Sequence, residues 1–117
     1  MRITDITYDH GQPVDGYGPG FFRVGGEVYQ GAILVLPGGN SSWQGFDETA
    51  QLVELAEQID VVFVGTGAEI AHIPEPFRTA LEDAGIGVEV MASPAACRTY
   101  NILLSEGRRV ALALLPV

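Results

Sequence analysis

The rhythm of apolar and polar positions changes near residue 46. Before that point the chain is punctuated by glycine: residues 1–45 hold ten of the fifteen glycines. The runs "RITDITY", "GPGFFRV" and "EVYQGAILVLP" between them read as short strands and turns. The pair Gly25-Gly26 between "FFRV" and "EVYQ" predicts a tight hairpin in which both turn residues take positive φ. "AILVL" is a continuous apolar run with β-branched members, the pattern of a strand buried on both faces.

After residue 46 the period becomes helical. Asp47 is placed to cap a helix running to about Gln58, with Leu52, Val53, Ala56 and Ile59 on its apolar side. "DVVFVGTG" follows as a buried strand that ends in a glycine loop. Pro74 and Pro76 mark entry into a second helix, whose stripe is Phe77, Ala80, Leu81 and Ala84 and which Gly85 and Gly87 close. "GVEVMA" is the next strand. Ser93 as N-cap and Pro94 as first helical residue open a third helix, Gly107 ends it, and "RRVALALLPV" is the last strand. Strands and helices in alternation imply an open α/β sheet covered by helices. The N-terminal hairpins then either extend that sheet or form an extra layer. No repeat, linker or low-complexity segment interrupts the chain, so residues 1–117 are read as one domain.

Composition narrows the class. Hydrophobic residues make up 47% and charged residues 18%, the balance of a packed, folded chain. The apolar runs are far short of the ~20 residues that span a bilayer. The start, "MRITDITYDH", carries neither an apolar signal core nor an Arg-rich transit segment, which predicts a cytoplasmic chain or one already processed. One cysteine, Cys97, excludes an internal disulfide. With only His10 and His72 beside it, no ligand spacing points to a metal, and no cofactor is expected.

Charge separates the regions further. Of the formal net −9, residues 47–89 contribute ten acids against one arginine, Arg78, and lysine is absent throughout. That excludes the basic footprint of a nucleic-acid binder. The acidic middle is either a solvated helix surface or a docking face for a basic partner.

Two stretches carry candidate chemistry. In "VFVGTGAEI", Gly65 and Gly67 fit the first two places of a dinucleotide fingerprint, but Ile70 occupies the third, where a bulky side chain blocks close helix–strand contact. What remains is a tight turn or a small-ligand loop in which Gly65, Thr66 and Gly67 present backbone N–H groups to an anion. In "SPAACRTYN", steps of about 100° put Ala96, Tyr100 and Leu103 on one side, with Cys97 and Leu104 at its edge. Arg98, Asn101 and Ser105 fall opposite. Cys97 is therefore expected in the core, and its neighbour Arg98 outside it. Ser93, Arg98, Thr99 and Asn101 form a candidate binding group near the helix start. If the two preceding strands run parallel, the loops after them meet at one sheet edge, and a Cys97–His72 pair is a further alternative. Nothing supplies the group that would orient it. Trp43, in "PGGNSSWQGF", either folds back on the core or anchors a partner.

Taken together, "G-x-F-R-V-G-G-x-V-Y-x-G-A-I-L-V-L-P", a later tryptophan, "VGTG", "G-I-x-V-E-V-M" and "A-A-C-R-T-Y-N-I-L-L-S-E-G-R-R-V-A-L-A-L-L-P" resemble the adipogenesis-associated Mth-type domain family. That family includes the mitochondrial complex I assembly factor three and uncharacterised bacterial and archaeal proteins. The resemblance runs over about residues 3–117, and Gly65, Thr66, Gly67, Cys97, Arg98, Thr99, Tyr100 and Asn101 match its motifs. It implies an α/β fold in three layers, a central mixed β-sheet with helices on one side and an N-terminal antiparallel β layer on the other. It carries over no catalytic residues.

The leading expectation is a non-enzymatic interaction protein with a protein partner, an accessory or assembly factor for a complex I-like respiratory complex. The alternative is a small-molecule or anion-binding protein or enzyme, with a pocket at the Gly65–Gly67 and Ser93–Asn101 loops. A homodimer whose interface explains the Trp43 loop is the third reading.

Overall fold

The computed structural model describes residues 11–117. The strand expected at "RITDITY", and His10, lie outside them. In the N-terminal part β1 (Val14–Gly18), β2 (Phe21–Val24) and β3 (Glu27–Gln30) form a three-stranded antiparallel sheet. The expected hairpin joins β2 to β3: Val24 pairs with Glu27, and Gly25 and Gly26 take φ of 58° and 84°. A β-carbon at either would strain such a turn.

The second sheet has five strands. These are β4 (Ile33–Leu36), β5 (Gly39–Ser42), β6 (Val61–Thr66), β7 (Gly87–Met91) and β8 (Val110–Leu115), in the order β5-β4-β8-β6-β7. β6 runs parallel to both β7 and β8, while β4 runs antiparallel to β8 and β5. Two crossovers build the parallel part. α2 (Glu75–Asp83) links β6 to β7, and α3 (Ser93–Ser105) links β7 to β8.

Alternation along the central strands assigns each layer its partner. On one face Leu34, Val62, Val64, Ala111 and Ala113 pack against Leu52, Phe77 and Leu81 from α1 (Ala50–Val53) and α2. On the other, Ile33, Val35, Phe63, Leu112 and Leu114 pack against Val14, Phe22 and Val24 of the antiparallel sheet and Ala96, Cys97 and Tyr100 of α3. The architecture is thus three layers around a mixed central sheet, with α3 lying beside the antiparallel sheet in its layer.

Three local expectations change. The helix expected from Asp47 to Gln58 shrinks to the four residues of α1, where Thr49 rather than Asp47 takes the N-cap place, without a side-chain bond. Beyond it the N–H groups of Leu55, Ala56 and Gln58 bond three residues back, to Leu52, Val53 and Leu55. Such tight turns do not extend an α-helix. They bring Ile59 into the core immediately before β6. The segment Gly39–Ser42, read as loop, is a strand because pairing with the buried β4 overrides the poor strand propensity of Gly, Asn and Ser. Ser93 lies inside the first turn of α3, and Ala92 takes the N-cap place without a side-chain bond.

Candidate functional site

The two motif stretches meet where β6 ends and α3 begins. Ser93 organises the junction. Its hydroxyl accepts the Gly67 N–H at 2.9 Å and donates to the Leu115 carbonyl at 2.7 Å, while its own N–H donates to the Gly67 carbonyl at 2.8 Å. One side chain thereby ties the loop after β6, the start of α3 and the end of β8. This explains why Ser93 is not the N-cap: its oxygen already serves the Gly67 N–H.

Both glycines of the loop have structural reasons. A β-carbon on Gly65 would stand 2.6 Å from Ser93 Oγ and 2.7 Å from both Ser93 Cα and Leu114 Cδ2. The helix start therefore lies directly on the strand. Gly67 holds φ of 99°, in the left-handed region. Thr66 Oγ1 donates to the Glu69 carbonyl at 2.8 Å and accepts the Ala71 N–H at 3.0 Å, closing the turn.

Asn101 serves a different partner. Its Oδ1 accepts the Val14 N–H at 2.8 Å, and its Nδ2 donates to the Val14 carbonyl at 2.8 Å. The amide occupies the edge of β1 as a neighbouring strand would. One residue earlier, Tyr100 is fully buried and donates its hydroxyl to the Gln12 carbonyl at 2.8 Å. Burial pushes its pKa up. Tyr100 and Asn101 thus fasten α3 to the segment that leads into β1.

Cys97 is buried at 4% exposure, and burial pushes its thiol up to about 12, against a small opposing pull from the Arg98 charge. A thiol held protonated at neutral pH is a poor nucleophile. Arg98 is exposed and Thr99 half-buried, so the phase expected along α3 holds. His72 lies exposed beside a cleft on the α2 side, whereas Cys97 packs in the core beneath α3; they do not form a pair.

Trp43 is 4% exposed, so it presents no surface for a partner. Its indole N–H donates to the Glu48 carbonyl at 3.0 Å, and its ring packs edge-on against Phe46 at 5.4 Å and against Phe77 at 5.8 Å. The Gly/Ser-rich stretch before it is strand β5, paired with β4, not a displayed loop.

The cleft itself went unread in the sequence. About 380 Å³ opens between the 70–73 segment, Glu75 and Arg78 of α2, and Val90 of β7. Ile70 stands 67% exposed at its rim. Arg78 Nη1 donates to the Val88 carbonyl at 3.4 Å and meets Glu82 at 3.5 Å. A lone arginine among ten acids, and an isoleucine between a glycine loop and two prolines, were the available signals. Nine of those ten acids are exposed. Asp60, one of them, is clamped by Arg109 at 2.6 Å, which holds its carboxyl below the usual range. Among the described residues no helix is long and apolar enough to cross a membrane.

Comparisons with known proteins agree with this geometry. A family described as protein of unknown function (DUF498/DUF598) matches residues 14–115. An uncharacterized protein of Rhodobacter capsulatus is 50% identical over 105 residues, covering 90% of this chain and 85% of that protein. The NADH dehydrogenase (ubiquinone) 1 alpha subcomplex assembly factor 3 of Danio rerio is 34% identical over 113 residues, 91% of this chain and 65% of the factor. Its Homo sapiens counterpart is 32% identical over 110 residues, 88% of this chain and 60% of the factor, so this chain spans less than two thirds of either. Among solved structures, one described as an outer membrane protein from Bartonella henselae superposes with a TM-score of 0.83 at 33% identity, covering 93% of this chain and 98% of that one. A Bordetella pertussis protein described as a Mth938-like domain gives 0.76 at 32% identity, covering 99% and 91%. The chain belongs to the DUF498/DUF598 family, and its fold is that of the Mth938-like domains.

Proposed function

We propose that this protein is a non-enzymatic interaction module of the cytoplasm that assists assembly of a respiratory NADH dehydrogenase by binding a protein partner. The observation that carries the reading is the extent of the likeness to the assembly factors: 88–91% of this chain aligns with them, so what is shared is this domain. The geometry of the motif supports it. Ser93, Thr66, Asn101 and Tyr100 bond to backbone groups of neighbouring elements, which is the work of residues that hold a scaffold. The reading is tested by purifying the tagged chain from cells that encode it, under gentle crosslinking. Respiratory subunits or their assembly proteins are the expected catch, and deletion is expected to lower assembled NADH dehydrogenase. No partner, together with an unchanged complex after deletion, overturns it.

A second reading takes the cleft beside Arg78 as a small-molecule site, since His72, Glu75 and Arg78 converge there around about 380 Å³. It predicts a saturable thermal shift with a small carboxylate or phosphate that Arg78→Ala removes. An unchanged melting curve across such ligands ends it.

A further inference from the structure

β7 is the last strand of the five-stranded sheet, and among the described residues it pairs on one side, with β6. In a parallel ladder alternate residues direct both backbone groups to one neighbour. The Gly87 N–H donates inward, to the Asp60 carbonyl beside β6, at 2.8 Å. The Val88 carbonyl faces the other way, toward Arg78. By the same alternation the N–H and C=O of Val90 also face outward. At 3.4 Å the guanidinium is a long partner for the Val88 carbonyl, against ~2.9 Å for a good N–H donor. A strand lying here would replace it.

Of the three other sheet edges, β3 has Glu27, Tyr29 and Gln30 around its one exposed valine, and β1 and β5 are built differently again. β1 has its Val14 groups taken by Asn101 and carries a register irregularity between Val14 and Gly16. β5 is the polar tetrapeptide Gly-Asn-Ser-Ser. β7 is apolar apart from Glu89, and it borders the cleft that exposes Ile70. An added strand would find backbone partners at Val88 and Val90 and a recess for side chains on the α2 side.

Charge selects the occupant. Acids stand on both faces of this edge: Glu75 lines the cleft and Glu82 sits at Arg78 on the α2 face, while Glu89, alternating with Val88 and Val90, projects exposed from the opposite face. A second copy of this chain is disfavoured in the register that pairs Val88 with Val90. Two-fold pairing of identical edges is antiparallel, and centred on residue 89 it would set two Glu89 carboxylates directly opposite each other, which destabilises a strand pair. Basic side chains at that place would be paired instead.

We propose that β7 accepts an extended, positively charged segment of a partner protein as a sixth strand, with alternate apolar side chains entering the cleft beside Arg78 and the basic ones between them facing Glu89. This rests on the interaction-module reading and names the surface and the partner's chemistry. The test uses the full chain, ¹⁵N-labelled, and a synthetic nine-residue peptide of alternating valine and lysine. The expected result is saturable binding with the largest shifts and slowed hydrogen exchange at the Val88 and Val90 amides. The matching valine–glutamate peptide should bind at least about tenfold more weakly. Val90→Pro removes an outward N–H without touching the β6 ladder, so it should abolish peptide binding while the protein melts as a folded domain. The exposed change Glu89→Lys is expected to leave the fold intact and should shift the preference toward the acidic peptide. Shifts clustered elsewhere, equal binding of both peptides, or self-association through this edge in sedimentation overturn the proposal. Respiratory subunits recovered equally with Val90→Pro and with the parent chain would remove β7 as the surface while leaving the assembly role standing.

Discussion

The edge of β1 and the edge of β7 solve the same problem in opposite ways. At β1 a side-chain amide from α3 takes both backbone groups of Val14 at 2.8 Å, so the ladder is closed at that residue by the chain itself. At β7 the outward Val88 carbonyl is held by a guanidinium at 3.4 Å beside an open cleft. An uncovered row of backbone donors and acceptors is a template for another strand, and folded proteins normally blunt it. Here the blunting at β1 uses a residue of the most distinctive motif, "SPAACRTYN", while β7 has a weaker counterpart. The motif therefore marks the closed, structural end of the molecule, and the acidic middle of the sequence marks the open end.

The largest effect is expected at Gly65. Gly65→Val would drive a side chain into Ser93 and Leu114, where a β-carbon alone already stands 2.6–2.7 Å away. A loss of about 3 kcal/mol is expected by urea unfolding, and a variant as stable as its parent would mean that α3 does not press on β6 as described. Asn101→Leu comes next. It strands the N–H and C=O of Val14, with an expected loss of about 2 kcal/mol in the same assay. Asn101→Asp, which keeps the acceptor, should recover part of the loss.

Alkaline pH probes the closed end without changing its shape. Cys97 holds its proton in the folded chain up to about 12, while the unfolded thiol releases it near 9. Between those values the unfolded state binds fewer protons, so stability falls as pH rises. About 1 kcal/mol should be lost between pH 8 and pH 10, less in Cys97→Ala, as read from denaturant midpoints. For the same reason, alkylation of the native chain at neutral pH should be slow and should become fast on unfolding. The smallest expected effect on stability lies at the open end. Glu89→Lys should move unfolding by less than about 0.5 kcal/mol while changing which peptide binds. A large destabilisation there would mean that β7 belongs to the closed end.

Much of the closed end was legible in the chain. The 100° phase that set Cys97 with Ala96 and Tyr100, and Arg98 away from them, is realised in their burial. The Gly25-Gly26 turn followed from two adjacent glycines between strand patterns. The roles of Ser93 and Asn101 did not follow, because their partners, Leu115 and Val14, lie 22 and 87 residues away. The Gly/Ser-rich neighbours of Trp43 do not distinguish a core side chain from a surface anchor; only the packing of Phe46 and Phe77 places it in the core. The cleft was invisible for a related reason. It needs the 70–73 segment, α2 and β7 brought together, and no periodicity encodes that encounter.

By itself the sequence determined the local terms: which runs are strands or helices, where glycine permits a left-handed turn, which face of α3 is apolar, and where the acids concentrate. These depend on a residue and its near neighbours, so they can be read along the chain. Only the tertiary structure decided which strand became an edge, which polar groups found partners, and which carbonyl was left with a distant guanidinium. Those outcomes depend on hydrogen-bond partners remote in sequence, and a buried polar group is settled by whatever the fold sets within about 3 Å of it.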